Sequence, residues 1–261
     1  MEKPEIIFAG DRKIAVNVLR YLLDSDVRVS GLCLPNIGSA SHDEQLIKLC
    51  NHLDDDRIFR GTEFKSESNK KRLERIIPDY MISVHFQHFI PKEILEIPIH
   101  GVVNLHPAYL PYNRGWHTPS WAILDQTPYG ATLHFMEEEI DAGDIIARKR
   151  IEIKPEDTAN TLYQKALTAE FELFKQSWPD LAEFNYTTSP QSETEATTHT
   201  RDELKKIQKL NLEQSVKTEE LIKKIRALTT NKIEEAAYYE KENKKYYIQV
   251  DIVPELELDS S

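Results

Sequence analysis

An α/β fold with a mostly parallel sheet is what this sequence predicts, on three observations. Apolar runs of strand length alternate with amphipathic helical patterns through the first half of the chain. Two of those runs, residues 80–84 and 101–105, are apolar almost throughout, as strands buried on both faces must be. With 261 residues the chain can bury a full core of this kind and still leave room for a small C-terminal unit of a helix and a β-hairpin.

Taken in order, residues 5–9 (Glu5-Ile6-Ile7-Phe8-Ala9) read as the first strand, and residues 12–23 as a helix with Ile14, Val18, Leu19 and Leu22 on one face. The alternation continues with a strand at 27–32, a helix near 43–49, a short strand at 57–59, a helix at 66–76, and the two buried strands at 80–84 and 101–105. Residues 129–136 and 144–153 read as strands flanking the loop 137–143. A long helix at 158–184 follows, started by Asp157 or Thr158 and bent at Trp178-Pro179. Residues 187–200 are polar and lack an apolar face, so they read as a linker between a domain of residues 1–186 and a region of residues 201–261. In that last region Thr218 caps a helix at 219–228, and residues 235–239 and 245–253 form a hairpin around the turn 241–244. Two strands cannot bury both faces alone, so the hairpin packs on the first domain or on another subunit. Tyr238, Tyr239, Tyr246 and Tyr247 either pack across its strands or meet a base or a partner chain.

Composition narrows the function. A net charge of −11 and a pI near 5.4 argue against a general nucleic-acid surface, which needs a basic field. Cys33 and Cys50 form no C-x-x-C pair, so neither a disulfide framework nor a zinc site is expected. No basic stretch with an apolar core opens the chain and no apolar run reaches membrane-spanning length, so the expected location is cytoplasmic, with no membrane partner.

The chemistry concentrates in two segments, Asn104-Leu105-His106-Pro107 with its continuation to His117, and Glu137 to Ile146 around Asp141. Taken singly, His106 is an ordinary loop histidine, and Asn104 and Asp141 are turn residues. Together, an amide, an imidazole and a carboxylate can orient a carbonyl, move a proton and stabilise an oxyanion, which is the equipment of acyl transfer. A metal site is the rival: His100, His106, His117, His134, Asp141 and Asp144 supply ligand types, yet none form a His-x-x-x-His pair, and no metal is expected. Asn104 and His106 fall at the carboxyl end of a strand, where open α/β sheets bind ligands, and so does Gly10-Asp11-Arg12. The latter has one glycine and no G-x-G-x-x-G, which excludes an NAD-type cradle and leaves a plain turn or a substrate contact.

The string N-L-H-P-A-Y-L-P-Y-N-R-G-W-H-T-P-S-W-A-I from Asn104, with I-D-A-G-D-I-I from Ile140, resembles the folate-dependent N-formyltransferases. It is most similar to the branch acting on nucleotide-linked amino sugars, whose tail K-I-R-A-L-T-T (224–230) and K-K-Y-Y-I-Q-V (244–250) also resemble. The resemblance implies a Rossmann-like formyltransferase fold. It implies formyl transfer from N10-formyltetrahydrofolate to the amine of a nucleotide-linked amino-deoxyhexose, a dTDP-linked 3-amino- or 4-amino-6-deoxyhexose, in lipopolysaccharide O-antigen biosynthesis. Asn104 then donates to the formyl oxygen, while His106 and Asp141 handle the proton. The folate lies among Phe86, Met136, Ile140 and Asp141, although His85-Phe86-Gln87-His88-Phe89 stands where relatives commonly have a glycine-containing turn. Arg12, Arg114 and Arg226 are candidates for the pyrophosphate, and Trp116 is a further substrate-binding candidate. A homodimer joined partly through the hairpin is also implied. Methionyl-tRNA formyltransferase shares the catalytic loop, but it carries a larger basic C-terminal barrel, and here the C-terminal charges nearly cancel. A protein that holds folate or a nucleotide without catalysis is the remaining alternative.

Overall fold

The computed structural model describes residues 3–255. Its elements are β1 (Glu5–Gly10), α1 (Arg12–Asp24), β2 (Arg28–Leu34), α2 (Asp43–Leu49), β3 (Ile58–Arg60), α3 (Glu67–Glu74), β4 (Tyr80–Val84), α4 (Lys92–Leu95) and β5 (Val102–His106). They continue with β6 (Arg114–Gly115), α5 (Thr118–Leu124), β7 (Tyr129–Phe135), β8 (Ile145–Ile151), α6 (Ala159–Ala182), β9 (Thr198–His199), α7 (Glu203–Ile207), α8 (Thr218–Leu228), β10 (Ala237–Lys241) and β11 (Lys244–Ile248). The expected α/β class and mostly parallel sheet are found. Seven strands run in the order β3-β2-β1-β4-β5-β7-β8, parallel from β3 through β5, with β7 antiparallel to β5. The chain winds outward one way from β1 and the other way from β4, so the strand order reverses between those two, which is where such sheets open a crevice at their carboxyl ends.

Two compact units make up the chain. The first holds the chain through His106, Thr132–Arg148 and Glu170–Gln191; the second holds Pro107–Ala131, Lys149–Ala169 and everything from Ser192. Each draws on separate stretches of sequence, a non-local grouping that the linear division at 187–200 does not contain.

In the first unit Ile6, Ile7, Phe8 and Ala9 are buried without alternation, as a strand covered on both faces requires. Ile14, Val18, Leu19 and Leu22 of α1 are buried together, the face the helical spacing predicts. Phe59, Phe64, Leu73, Met81 and Ile94 gather with Ile7 and Cys33 in one cluster, each such side chain contributing about 1.5–3 kcal/mol by leaving water. Ser66 caps α3 from outside, its Oγ accepting from the Asn69 N–H at 3.4 Å, so the helix starts one residue later than its sequence pattern suggests.

In the second unit Thr158 precedes α6 and its Oγ1 accepts from Thr161 N at 3.3 Å, while Thr161 Oγ1 returns the bond by accepting from Thr158 N at 2.9 Å. Asp157, the other candidate cap, instead accepts from Lys154 N at 2.8 Å and Lys165 Nζ at 2.7 Å. Burial alone would push its carboxyl up, but these donors and Thr161 outweigh it and hold the group below the ordinary carboxylate range. Ala122, Ile123, Tyr129, Leu162 and Ala227 form one apolar cluster, and Leu204, Leu228 and Ala237 a second that seats the base of the hairpin. Thr218 is not the cap of α8 but its first residue, with Lys217 in the extended cap position before it and no side-chain cap bond. Residues 233–235 turn as a 3-10 helix, so β10 begins at Ala237, and β11 stops at Ile248 rather than 253. Glu242 and Asn243 both have positive φ (53° and 59°), the geometry of a tight two-residue hairpin turn. Tyr238 faces Tyr247 and Tyr239 faces Tyr246, with ring centroids 5.6 and 5.2 Å apart, so both pairs pack across the strands; Tyr246 and Tyr247 stay about 40% exposed.

The stretch expected as a bare linker has partners. β9 pairs with β6 in parallel, Gly115 against His199. A Cβ on Gly115 would sit 2.4 Å from the His199 carbonyl oxygen, and its φ of 90° also demands glycine. Among the described residues no helix is long and apolar enough to cross a membrane.

Candidate active site

Strand geometry assembles most of the site. Asn104 and His106 lie two residues apart on β5 and therefore share a sheet face. The antiparallel register sets His134 of β7 opposite Asn104 and Thr132 opposite His106. All four side chains are buried. Asp141 comes from the loop after β7, with φ of 53°, in the left-handed region that aspartate enters more readily than most side chains. The loop turns tightly there: a Cβ on Gly143 would lie 2.2 Å from the Phe135 carbonyl oxygen.

The three residues expected to act together do converge. Asn104 Nδ2 donates to Asp141 Oδ1 at 3.5 Å, and His106 Nε2 lies 3.6 Å from Asp141 Oδ2. His134, which sequence reasoning considered only as a metal-ligand type, is the fourth member. Its Nδ1 is 2.7 Å from the Phe135 carbonyl oxygen and must carry the proton there, leaving Nε2 to accept from Asn104 Nδ2 at 3.2 Å. Nε2 also lies 3.7 Å from Asp141 Oδ1. Strand alternation, legible in the sequence, puts His134 on one face with Thr132; only the register sets it opposite Asn104. His106 Nε2 is buried without a hydrogen-bond partner among the described residues, a cost tolerated where a ligand supplies the bond.

At the strand switch, Asp11 is fully buried, and its carboxylate accepts from Ser41 N (2.9 Å), Ser41 Oγ (3.1 Å) and Gln87 Nε2 (3.0 Å). It thereby ties the segment after β1 to the segment after β4. His85, with φ of 52°, directs its Nε2 to the carboxylate of Glu170 at 2.9 Å, a pair withdrawn from water that the sequence pattern did not reveal.

The other expected contacts are distributed as follows. Phe86 and Met136 are half-buried against one apolar cluster, Phe86 meeting Phe64 edge-on at 5.6 Å. Ile140 projects from the Asp141 loop, 52% exposed. Arg12 opens α1 with φ of 68°. In the second unit, Arg114 is buried and pairs with Glu193, Nη2 to Oε1 at 2.8 Å and Nη1 to Oε2 at 3.3 Å. Arg226 spends Nε on the Asp157 carbonyl (2.7 Å) and Nη2 on the Lys154 carbonyl (2.8 Å), which makes it a brace for the turn before α6. Trp116 lies under the Arg201 guanidinium at 4.9 Å. A cavity of about 610 Å³, lined by Glu5, Arg28, His52 and Arg57 among others, opens at the amino ends of β1 and β2, whereas Asn104 and His106 lie toward the carboxyl end of β5.

Residues 37–177, which include Asn104, His106 and Asp141, match the family described as Formyl transferase, and residues 203–254 match the N-formyltransferase dimerization C-terminal domain. Among curated proteins, methionyl-tRNA formyltransferase from Geobacillus thermodenitrificans is 29% identical over 197 residues, 74% of this chain and 62% of that protein. The Listeria monocytogenes enzyme of the same name is 30% identical over 54% of this chain and 45% of its own length. The chain thus spans about half to three fifths of these relatives. A 4-N formyltransferase from Francisella tularensis shares the fold, with a TM-score of 0.81 at 24% identity over 96% of this chain and 98% of that one. So does an N-formyltransferase from Helicobacter canadensis, solved with folinic acid and dTDP-3-aminofucose (TM-score 0.66, 22% identity, 92% and 85% coverage).

Proposed function

The chain belongs to the formyl transferase family, and from that premise we propose that it moves a formyl group from N10-formyltetrahydrofolate to the amine of a nucleotide-linked amino-deoxyhexose. The observation that carries the reading is the convergence of Asn104, His106 and Asp141, with the His106 Nε2 left for a ligand to bond. The folate supplies the activated formyl carbon. Phe86 and Met136 offer its ring apolar walls, and Ile140 stands on the same loop as Asp141.

In the proposed reaction a C–N bond forms between the amine and the formyl carbon, the bond from that carbon to the donor nitrogen breaks, and one proton passes from amine to donor. Asn104 holds one N–H on His134 and the other only loosely on Asp141, so the second is the donor a developing oxyanion takes. His106 accepts the amine proton or, once charged, supports the oxyanion, and Asp141 orients it. None of these steps calls on a metal.

The preference for a sugar acceptor over tRNA is supported by the acidic balance of the chain and by its likeness, over 96% of its residues, to a sugar N-formyltransferase from Shewanella. A dTDP-linked 3-amino- or 4-amino-6-deoxyhexose destined for a surface glycan such as lipopolysaccharide O-antigen, made in the cytoplasm, fits this reading. Arg12, which follows β1 in the first unit, is its proposed pyrophosphate contact. The C-terminal match supports a homodimer through the hairpin, whose Tyr246 and Tyr247 are left about 40% exposed. Light scattering should give twice the mass of one 30.3 kDa chain, and a monomer mass would remove this part.

Separate incubations with the folate donor and dTDP-amino sugars, UDP-amino sugars or initiator tRNA test the acceptor. Formylated dTDP-sugar is the expected product, and formylation of methionyl-tRNA alone would replace this reading with the other.

A further inference from the structure

The loop that delivers Asp141 lacks the regularity that places Asn104 and His106, and its backbone sits in the left-handed region, at a cost of about 1 kcal/mol. Something must over-determine it. Residues 188–191, a stretch with no regular structure of its own, run alongside and bond it repeatedly. Thr188 Oγ1 donates to Asp144 Oδ2 at 3.1 Å. Ser189 exchanges two backbone bonds with Ile145, at 2.8 and 2.9 Å, in an antiparallel bridge on the edge strand of the sheet. The Gln191 amide then sends Nε2 to two carbonyls of the loop at once, Asp141 O at 2.7 Å and Gly143 O at 2.8 Å. Pro190 between them fixes φ and biases Ser189 toward extended backbone, so the strap is stiff where it bridges.

We propose that Gln191 is a positioning residue for the reaction: by clamping the carbonyls on both sides of Ala142 it holds Asp141 in its left-handed conformation and aims the carboxylate at His106 and Asn104. The proposal rests on the formyl-transfer reading for its kinetic consequence, while the clamp itself does not. A glutamine suits the task because one NH2 group carries two hydrogens for two carbonyls, whereas a carboxylate would repel both. The side chain acts through Asp141 and needs no contact with either substrate.

The test is Gln191→Met, close in size and without donors, in the full chain. Its kcat should fall about 10- to 100-fold, the scale of loss from a misplaced catalytic group, with KM for donor and acceptor within about twofold of the parent. Combined with Asp141→Asn it should cost nothing further, because there is no longer a carboxylate to aim. Amide hydrogen exchange over residues 141–144 should quicken. Unchanged kcat in Gln191→Met, or an equal loss on the Asp141→Asn background, would overturn the proposal. If the parent protein formylates no amine, the functional reading fails by itself. The exchange comparison still decides the clamp, since unaltered protection over residues 141–144 removes it and faster exchange upholds it.

Discussion

The two halves of the candidate site are built differently. Asn104, His106 and His134 stand on paired strands, where spacing and register dictate which side chains meet. Asp141 stands on a loop and reaches the same point only with a positive φ, a close-packed Gly143 and a strap of residues 188–191. A sheet positions side chains as a by-product of its own stability. A loop must be held by contacts that serve nothing else. The strand half should therefore tolerate changes to its surroundings and lose activity only when its own groups are removed, whereas the loop half should fail through distant changes.

The largest expected effect breaks the strand half chemically. His106→Ala should lower kcat by about a hundred- to ten-thousandfold, the usual contribution of a positioned acid or base. Asn104→Ala should lower it by about a hundred- to a thousandfold, as loss of one oxyanion donor does. Circular dichroism should show both variants folded, because neither side chain packs in the apolar clusters around Ile7, Tyr129 or Leu204 among the described residues. Near-parental turnover in His106→Ala would take the imidazole out of the reaction.

Gly143→Ala attacks the loop half without touching a reacting group. Its methyl cannot share space with the Phe135 carbonyl, so the loop must move and carry Asp141 with it, for an expected loss of about a hundredfold in kcat. Steady-state kinetics that leave kcat within twofold would show that Asp141 needs no such precision.

How much of this was legible in the chain follows the same division. The α/β class, the buried strands Tyr80–Val84 and Val102–His106 and the buried face of α1 were readable because burial on a sheet leaves periodic apolar patterns. The residue types of Asn104, His106 and Asp141 are legible in the chain, and their proposed roles come from the resemblance. The strap was not: Thr188, Ser189 and Gln191 are polar, aperiodic and nearly fifty residues from their partners, and such a stretch has the composition of a solvated linker. Short strands such as β6 and β9 carry too few residues for any period. Arg114 and Arg226 were plausible anion ligands by type, but only folded geometry assigns their donors to Glu193 and to backbone carbonyls.

A smaller effect sharpens the boundary between the halves. His134→Gln keeps an acceptor near Asn104 but abandons the ring geometry, and should cost about tenfold in kcat as a loss of orientation. A loss as large as that of His106→Ala would move His134 into direct chemistry. Smaller still is the pH response of the second unit, where Asp157 is held below its ordinary range. A lowered carboxyl contributes stability above the unfolded value of about 3.9 and loses it as pH falls through the folded one. Melting temperature should therefore fall more steeply below about pH 4 in the parent than in Asp157→Asn, and parallel curves would show that the pair adds nothing.

The most direct measurement is mass spectrometry of a dTDP-linked amino-deoxyhexose after incubation with N10-formyltetrahydrofolate and either the parent protein or His106→Ala. Formyl transfer through His106 requires one added formyl group on the sugar with the parent and almost none with the variant. An unmodified sugar in the presence of the parent across the 3-amino and 4-amino series, or equal formylation by both proteins, would contradict it.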